Sequence, residues 1–253
     1  MDLRDRILKS EIEFPAIFTS YVEKDYGILF YNEEDKESCD SNHAILYTEK
    51  ISDIESVLKE IKHFYLSKGL VPRIYRPYTK GYFEDNQALF EDSGYEVRLY
   101  GKDRLMLLTE KNNIITDRTL DIRLLKNWDD RIATDILIPN GEGYEVAVAK
   151  NSMRYKDNYL FAGYLKDEAV TTLYLHVSEY GCTRFDYINT AKKFRNKGYA
   201  REILSYVSDF CKEHNLPNCY QCPAHETSFK MCYEAGFRVL FEIESGEAVC
   251  AAK

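Results

Sequence analysis

The segment YINTAKKFRNKGYAREIL, residues 187–204, decides how this chain is read. The run up to Thr190 reads as the end of a strand. Behind it Ala200, Ile203, Leu204, Val207, Phe210 and Cys211 recur at helical spacing. Between the two lies a basic loop with one glycine, Gly198. A helix usually starts on a short polar residue whose side chain satisfies one of the amides that the first turn leaves open. This one is entered through Arg195, Asn196, Lys197 and Gly198. Open amides and the helix dipole together make such a start a natural seat for an anion. Gly198 adds a position where backbone can approach closely and take positive φ. Lys192, Lys193, Arg195, Lys197 and Arg201 concentrate positive charge there, in a chain whose formal net charge is −8. The pattern fits a diphosphate cradle, although neither G-x-x-x-x-G-K-[ST] nor G-x-G-x-x-G is present.

The arrangement I-x-T (Ile188, Thr190) followed by R-x-x-G-x-A (Arg195, Gly198, Ala200) resembles the acyl-CoA-binding motif of the GNAT superfamily of N-acyltransferases. A second motif of that family, N-x-x-A/S-x-x-L-Y-x-x-x-G-F, is echoed in HETSFKMCYEAGF, residues 225–237. There Ser228 matches the small residue, Met231 the leucine, and Gly236-Phe237 the closing pair. The resemblance covers about residues 119–245, nearly the whole second half. It implies acetyl-CoA as co-substrate, with no metal. It places the coenzyme on Ile188, Thr190, Arg195, Asn196, Lys197, Gly198, Tyr199, Ala200, Arg201, His225 and Ser228. It also implies a backbone N–H near Ile188 that faces the reacting carbonyl. Two departures stand out. His225 replaces the usual asparagine, and Cys232 replaces the tyrosine that protonates the departing thiolate. Tyr233 comes one place later, about 100° around a helix. Cys232, Tyr233 or water are the candidates for the acid, unless the thiolate leaves without one, and free cysteine is more often a packed small hydrophobe. Asp186 and Glu179 are the candidates for the base that an amine of high pKa requires, with a relay through water as the alternative.

The first half carries a fainter version of the same plan. Helix, PRIYRPY and ALFEDSGYEVRLY precede helix, NCYQCPA and KMCYEAGFRVLFE in matching order, and Gly94-Tyr95 and Gly236-Phe237 occupy equivalent places. This suggests an internal duplication. The first copy keeps the late motif, with Phe90 at the tyrosine place. Its helix, in SDIESVLKEIKHFYLSKG, is expected to be capped by Ser52 and ended by Gly69, and KISDIES at its start has acidic residues where the second copy has Arg and Gly. It cannot cradle a diphosphate. The expected fold is therefore α/β (α+β), two GNAT-like units, each with a mixed, mostly antiparallel central sheet flanked by helices. The polar stretch 111–119 serves as linker. Residues 1–112 form the copy without a coenzyme loop, and residues 113–253 the coenzyme-binding domain.

Composition narrows the function classes. An acidic chain with Asp and Glu in excess over Lys and Arg (42 against 34) disfavours a nucleic-acid binder. No apolar run reaches the length of a membrane span, and the charged start MDLRDRILKSEIEF is not a signal peptide. Seven scattered cysteines read as reduced thiols of a cytoplasmic protein. CYQC (Cys219, Cys222) lacks two further ligands at suitable spacing for structural zinc. The reading is an acetyl-CoA-dependent N-acetyltransferase acting on a primary amine of a small molecule or peptide, as monomer or homodimer. The alternative is a module that binds acyl-CoA without turning it over.

Overall fold

A computed structural model describes residues 1–76 and 78–250. The chain forms two compact units. One comprises Glu11–Asp103 and the end of the chain from Ile243, and the other comprises Met1–Ser10 and Arg104–Glu242. The boundaries fall inside a helix and two strands, and the segment 111–119 that composition offers as linker lies wholly within the second unit. It is tied down there: Asn113 N–H donates to the Glu234 carbonyl (2.9 Å), and Asn112 Nδ2 donates to Ser205 Oγ (2.8 Å).

The first stretch of chain runs α1 (Leu3–Glu13), β1 (Ser20–Lys24), β2 (Gly27–Tyr31), β3 (His43–Leu46), α2 (Ile54–Ser67), β4 (Arg73–Tyr75), α3 (Tyr82–Asp85), α4 (Gln87–Asp92) and β5 (Tyr95–Leu108). Strands β1, β2 and β3 form an antiparallel meander, and β3 pairs with β4 in parallel. The link between the parallel strands is α2, whose Leu58, Ile61 and Tyr65 are fully buried against Leu29, Leu46, Ile74, Phe90 and Tyr95. Asp53, not Ser52, caps this helix. Its carboxylate accepts from Ser56 N–H (3.1 Å) and from the Ser56 hydroxyl (2.6 Å). Ser and Asp are about equally good caps, so adjacent candidates cannot be ranked by type alone. The stretch 95–108 is one continuous strand with no hairpin turn.

The remainder runs β6 (Asp121–Leu125), a π-helical turn (Ile132–Leu137) continuing into α5 (Ile138–Asn140), α6 (Glu145–Ser152), β7 (Asn158–Leu165), β8 (Glu168–Val177), β9 (Thr183–Thr190), α7 (Tyr199–Glu213), β10 (Cys219–Gln221), α8 (Glu226–Glu234) and β11 (Phe237–Cys250). In this unit the strand order is β6-β7-β8-β9-β10-β5. All neighbours are antiparallel except β9 and β10, which α7 joins. Alternate residues of the sheet face opposite ways. Leu173, Leu175 and Phe185 pack on Ile203, Leu204 and Val207 of α7 and on Phe237. Leu160, Ala162 and Tyr174 pack on Ile132, Ile136, Leu137 and Ala149. Helices thus cover both faces of a mostly antiparallel sheet, the α/β class expected from the sequence. Each half of the chain has a parallel strand pair joined by a helix, then a short helix, a positive-φ glycine (Gly94, φ +81; Gly236, φ +100) and a 14-residue strand. No helix among the described residues is long and apolar enough to cross a membrane.

Candidate functional site

The site lies where β9 and β10 part. They pair only through Thr183–Cys219 and Arg184–Tyr220, near the start of β9. Strand β10 ends at Gln221, while β9 continues to Thr190 without that neighbour. On its other side β9 carries a bulge against β8. The register passes from Thr172↔Asn189 to Tyr174↔Asp186, so Tyr187 and Ile188 together oppose Leu173. Tyr187 has φ +49, an uncommon conformation for an aromatic residue. A bulge leaves its extra residue outside the ladder and turns side chains off the regular alternation. Beyond Arg184, β9 therefore runs without its parallel neighbour, and Ile188 packs against the core cluster that includes Ile203 and Leu204 of α7.

That entrance matches the expectation of an uncapped helix. Gly198 is the residue before α7, in the left-handed region (φ +86, ψ −2), and no side chain caps the helix. The first bond back to the loop is Glu202 N–H to the Gly198 carbonyl (3.0 Å), so the amides of Tyr199, Ala200 and Arg201 have no acceptor within the helix. A Cβ on Gly198 would meet no atom within 4 Å, so the approach to these amides is open. Asn196 is also left-handed (φ +62). Arg195 Nε donates to the Thr190 carbonyl (3.1 Å), which folds the loop back on the strand end. Lys193 is paired with Glu168, and Arg201 with Glu234. Lys192, Arg195 and Lys197 are exposed and share no ion pair with a carboxylate among the described residues, so their charge is available. Tyr199 packs edge-on against Phe194 at 6.0 Å. Helix α8, which follows β10, also starts without a side-chain cap: His225 is its exposed N-cap residue, and Ser228 lies in its first turns. Two uncapped helix starts therefore follow the two parting strands.

The residues expected to carry chemistry are placed differently. Cys232 is 0 % exposed in the core under α7, and its thiol donates to Gln221 Oε1 (3.0 Å). Burial, with Cys222 nearby, pushes this thiol up to about 12. Tyr233 is half-exposed, with the Arg238 guanidinium 3.8 Å over its ring. Asp186 lies two residues before Ile188 but is ion-paired with Arg184. Glu179 is exposed in the β8–β9 turn, beyond the far end of β9. Thr183 to Ile188 alone spans roughly 16 Å of strand, so Glu179 is not brought to the bulge.

The sequence reading missed a polar cluster beside the bulge. Asn140 Nδ2 donates to Asn189 Oδ1 (2.8 Å), and Asn140 Oδ1 accepts from Lys192 N–H (2.8 Å). Glu142 accepts from the Tyr187 hydroxyl (2.9 Å) and from Asn189 Nδ2. Residues 140–142 thus fix both the bulge and the start of the basic loop. The signal was Asn140-Gly141-Glu142-Gly143, a carboxylate between two glycines, with Gly141 at φ +88. Among the described residues no group of three or more His, Cys, Asp or Glu is placed to hold a metal ion.

No protein-family model and no curated protein sequence matches the chain. Solved structures do. A GCN5-related N-acetyltransferase from Kribbella flavida superposes with a TM-score of 0.69 at 11 % identity, covering 100 % of this chain and 97 % of that one. A functionally unknown conserved protein from Staphylococcus epidermidis gives 0.63 at 16 % identity, covering 96 % and 98 %. A tandem GNAT protein from the clavulanic acid biosynthesis pathway gives 0.54 at 8 % identity, covering 83 % and 74 %. At these identities the likeness is one of fold, and the fold is that of GNAT acetyltransferases.

Proposed function

We propose that the chain is an acyl-CoA-dependent N-acyltransferase with acetyl-CoA as donor and a primary amine, on a small molecule or peptide, as acceptor. The observation that carries this reading is the open, uncapped start of α7 at Gly198, set beside a bulged strand that has lost its parallel neighbour. The residues present fit the coenzyme. The amides of Tyr199, Ala200 and Arg201 would receive its diphosphate, with Lys192, Arg195 and Lys197 neutralising charge around it. When bound, the coenzyme supplies an acyl group already activated as a thioester. The backbone at Ile188 is positioned to donate to the carbonyl oxygen where negative charge gathers. Asn140 and Glu142 hold the bulge in shape, so that this donor is fixed before the acceptor arrives.

Burial takes Cys232 out of consideration as proton donor, and Tyr233 lies against Arg238. A thiolate of ordinary pKa leaves without an acid near neutral pH, so the missing tyrosine does not exclude turnover. The same absence supports a second reading, a module that holds acyl-CoA without transferring it. Release of free thiol from acetyl-CoA in the presence of primary amines separates the two. We expect amine-dependent release in the wild type. Cys232→Ser should release thiol within about threefold of that rate, far from the roughly 10²–10⁴-fold loss of a general acid. Its melting temperature should fall by a few degrees, because the hydroxyl must replace a buried thiol. A rate loss of a hundredfold with unchanged coenzyme affinity would make Cys232 a catalytic residue after all.

In the same proposal the first unit is a copy that has lost the coenzyme. The β3–α2–β4 crossover repeats β9–α7–β10, but at its start a carboxylate, Asp53, already takes the first-turn amide of Ser56. The protein would work in the cytoplasm as a monomer or homodimer.

A further inference from the structure

An amine that attacks a carbonyl must lose a proton as the new bond forms. The two carboxylates that the sequence offers for this task are otherwise placed: Asp186 is paired with Arg184, and Glu179 lies beyond the far end of β9. A third carboxylate, Glu142, is held against the bulge. Tyr187 and Asn189, the residues on either side of Ile188, both donate to one of its oxygens. The Tyr187 hydroxyl reaches Glu142 Oε2 at 2.9 Å, and Asn189 Nδ2 reaches the same atom. Glu142 Oε1 has no hydrogen bond among the described residues.

The packing tells which face of β9 the carboxylate is on. Ile188 packs with the cluster under α7, whereas Tyr187 packs with the cluster that includes Ile132 and Ile136. Glu142, bonded to Tyr187, is thus on the face away from α7. With the coenzyme at the start of α7, this face is the one left for the acceptor. The turn between α5 and α6 holds Glu142 by its backbone: its N–H donates to the Leu137 carbonyl (2.9 Å), and its carbonyl accepts from Glu145 N–H (3.0 Å). Glu142 is only partly buried and stands between two exposed glycines. A Cβ on Gly141 would meet no atom within 4 Å, and one on Gly143 would meet only Ile138 Cγ1 at 3.8 Å. Neither neighbour in the turn screens the carboxylate with a side chain.

We infer that Glu142 is the general base of the transfer, with Oε2 fixed by Tyr187 and Asn189 and Oε1 free to take the proton from the acceptor nitrogen. The amine attacks as its free base. Its lone pair forms the bond to the thioester carbon, and the nitrogen gives up a proton to Glu142 Oε1. The C–S bond breaks, and its electron pair leaves on sulfur as a thiolate. Glu142 then passes the proton to solvent. One amine and one thioester thus give one amide, one thiolate and one proton. Two donors on the other oxygen orient the carboxylate before the acceptor arrives. This role rests on the acyl-transfer reading.

Two variants separate a base from a mere prop. Glu142→Gln keeps an oxygen that can accept from Tyr187 and Asn189 and loses only the base, whereas Glu142→Ala loses both. The rate is the release of thiol from acetyl-CoA with n-butylamine, putrescine or Nα-acetyl-lysine. Coenzyme A affinity is measured by calorimetry, and folding by melting temperature. Glu142→Gln should release thiol at least a hundredfold more slowly than the wild type, with coenzyme A affinity kept within about threefold and the melting temperature within a few degrees. Added formate, a carboxylate small enough for the space the side chain leaves, should raise the rate of Glu142→Ala roughly tenfold or more and leave Glu142→Gln unchanged. A smaller loss in a folded Glu142→Gln protein, or no effect of formate on Glu142→Ala, would overturn the assignment and leave Glu142 a positioning residue. A wild type that binds coenzyme A but releases no thiol with any of the three amines would instead sink the acyl-transfer reading, and this role with it.

Discussion

Gly198→Glu is expected to lower coenzyme A affinity at least tenfold, about 1.4 kcal/mol or more. The side chain would project into the open space before α7, where a Cβ has no neighbour within 4 Å. It would bring a carboxylate to amides that the diphosphate needs, and it could cap the helix itself. Fold is affected less than function. A residue with a Cβ at φ +86 costs roughly 1–2 kcal/mol, and the open surroundings add no clash. Gly198→Asn provides the control, because asparagine tolerates the left-handed region and carries no charge. The asparagine variant should keep most of the affinity that the glutamate variant loses. A folded Gly198→Glu protein with wild-type affinity would remove the loop from the site.

A larger effect on stability is expected at Gly236. Gly236 closes α8 at φ +100, and its carbonyl accepts from Thr109 N–H (3.1 Å) and Glu110 N–H (3.0 Å). A Cβ there would stand 2.4 Å from the Glu110 carbonyl oxygen and 3.1 Å from that of Lys111. These are backbone atoms of the segment that follows β5, and they cannot swing away as a side chain would. Gly236→Ala combines left-handed strain with overpacking, about 3–4 kcal/mol together. In a chain of this size that lowers the melting temperature by roughly 10 °C. Gly101→Ala isolates the clash, since Gly101 has a similar φ of +90 with nothing within 4 Å. A Gly236→Ala loss no greater than that of Gly101→Ala would show that the backbone contact carries no weight.

The fold was legible in the sequence wherever the signal was local. Helical spacing behind Gly198 marked α7, and the absence of a capping side chain marked its start as unusual. Gly94 and Gly236 marked two helix ends of the same kind, because positive φ is a backbone need that glycine announces. What escaped the reading depends on distant partners. Whether Cys232 faces solvent or core is set by Gln221 and by the helix above it, and its position in a motif does not reveal this. Asp186 and Glu179 are both carboxylates near one strand, yet Arg184 claims the first and strand length removes the second. Glu142 lies 45 residues before Tyr187 and reaches it only through the fold. The bulge that unites them rests on a tyrosine at positive φ, which no residue preference signals. The unit boundaries were hidden for a related reason. They fall inside α1, β5 and β11, whose regular patterns give no break, while the polar segment 111–119 imitates a linker and is in fact bonded to α7 and α8 residues.

The central claim is that one helix start in this chain, at Gly198, holds a coenzyme diphosphate, and that its counterpart at α2 is closed by Asp53. Titration of the wild-type protein with coenzyme A tests it most directly. The account predicts saturation at one coenzyme per chain, whereas two equivalent sites, or no binding at all, would contradict it.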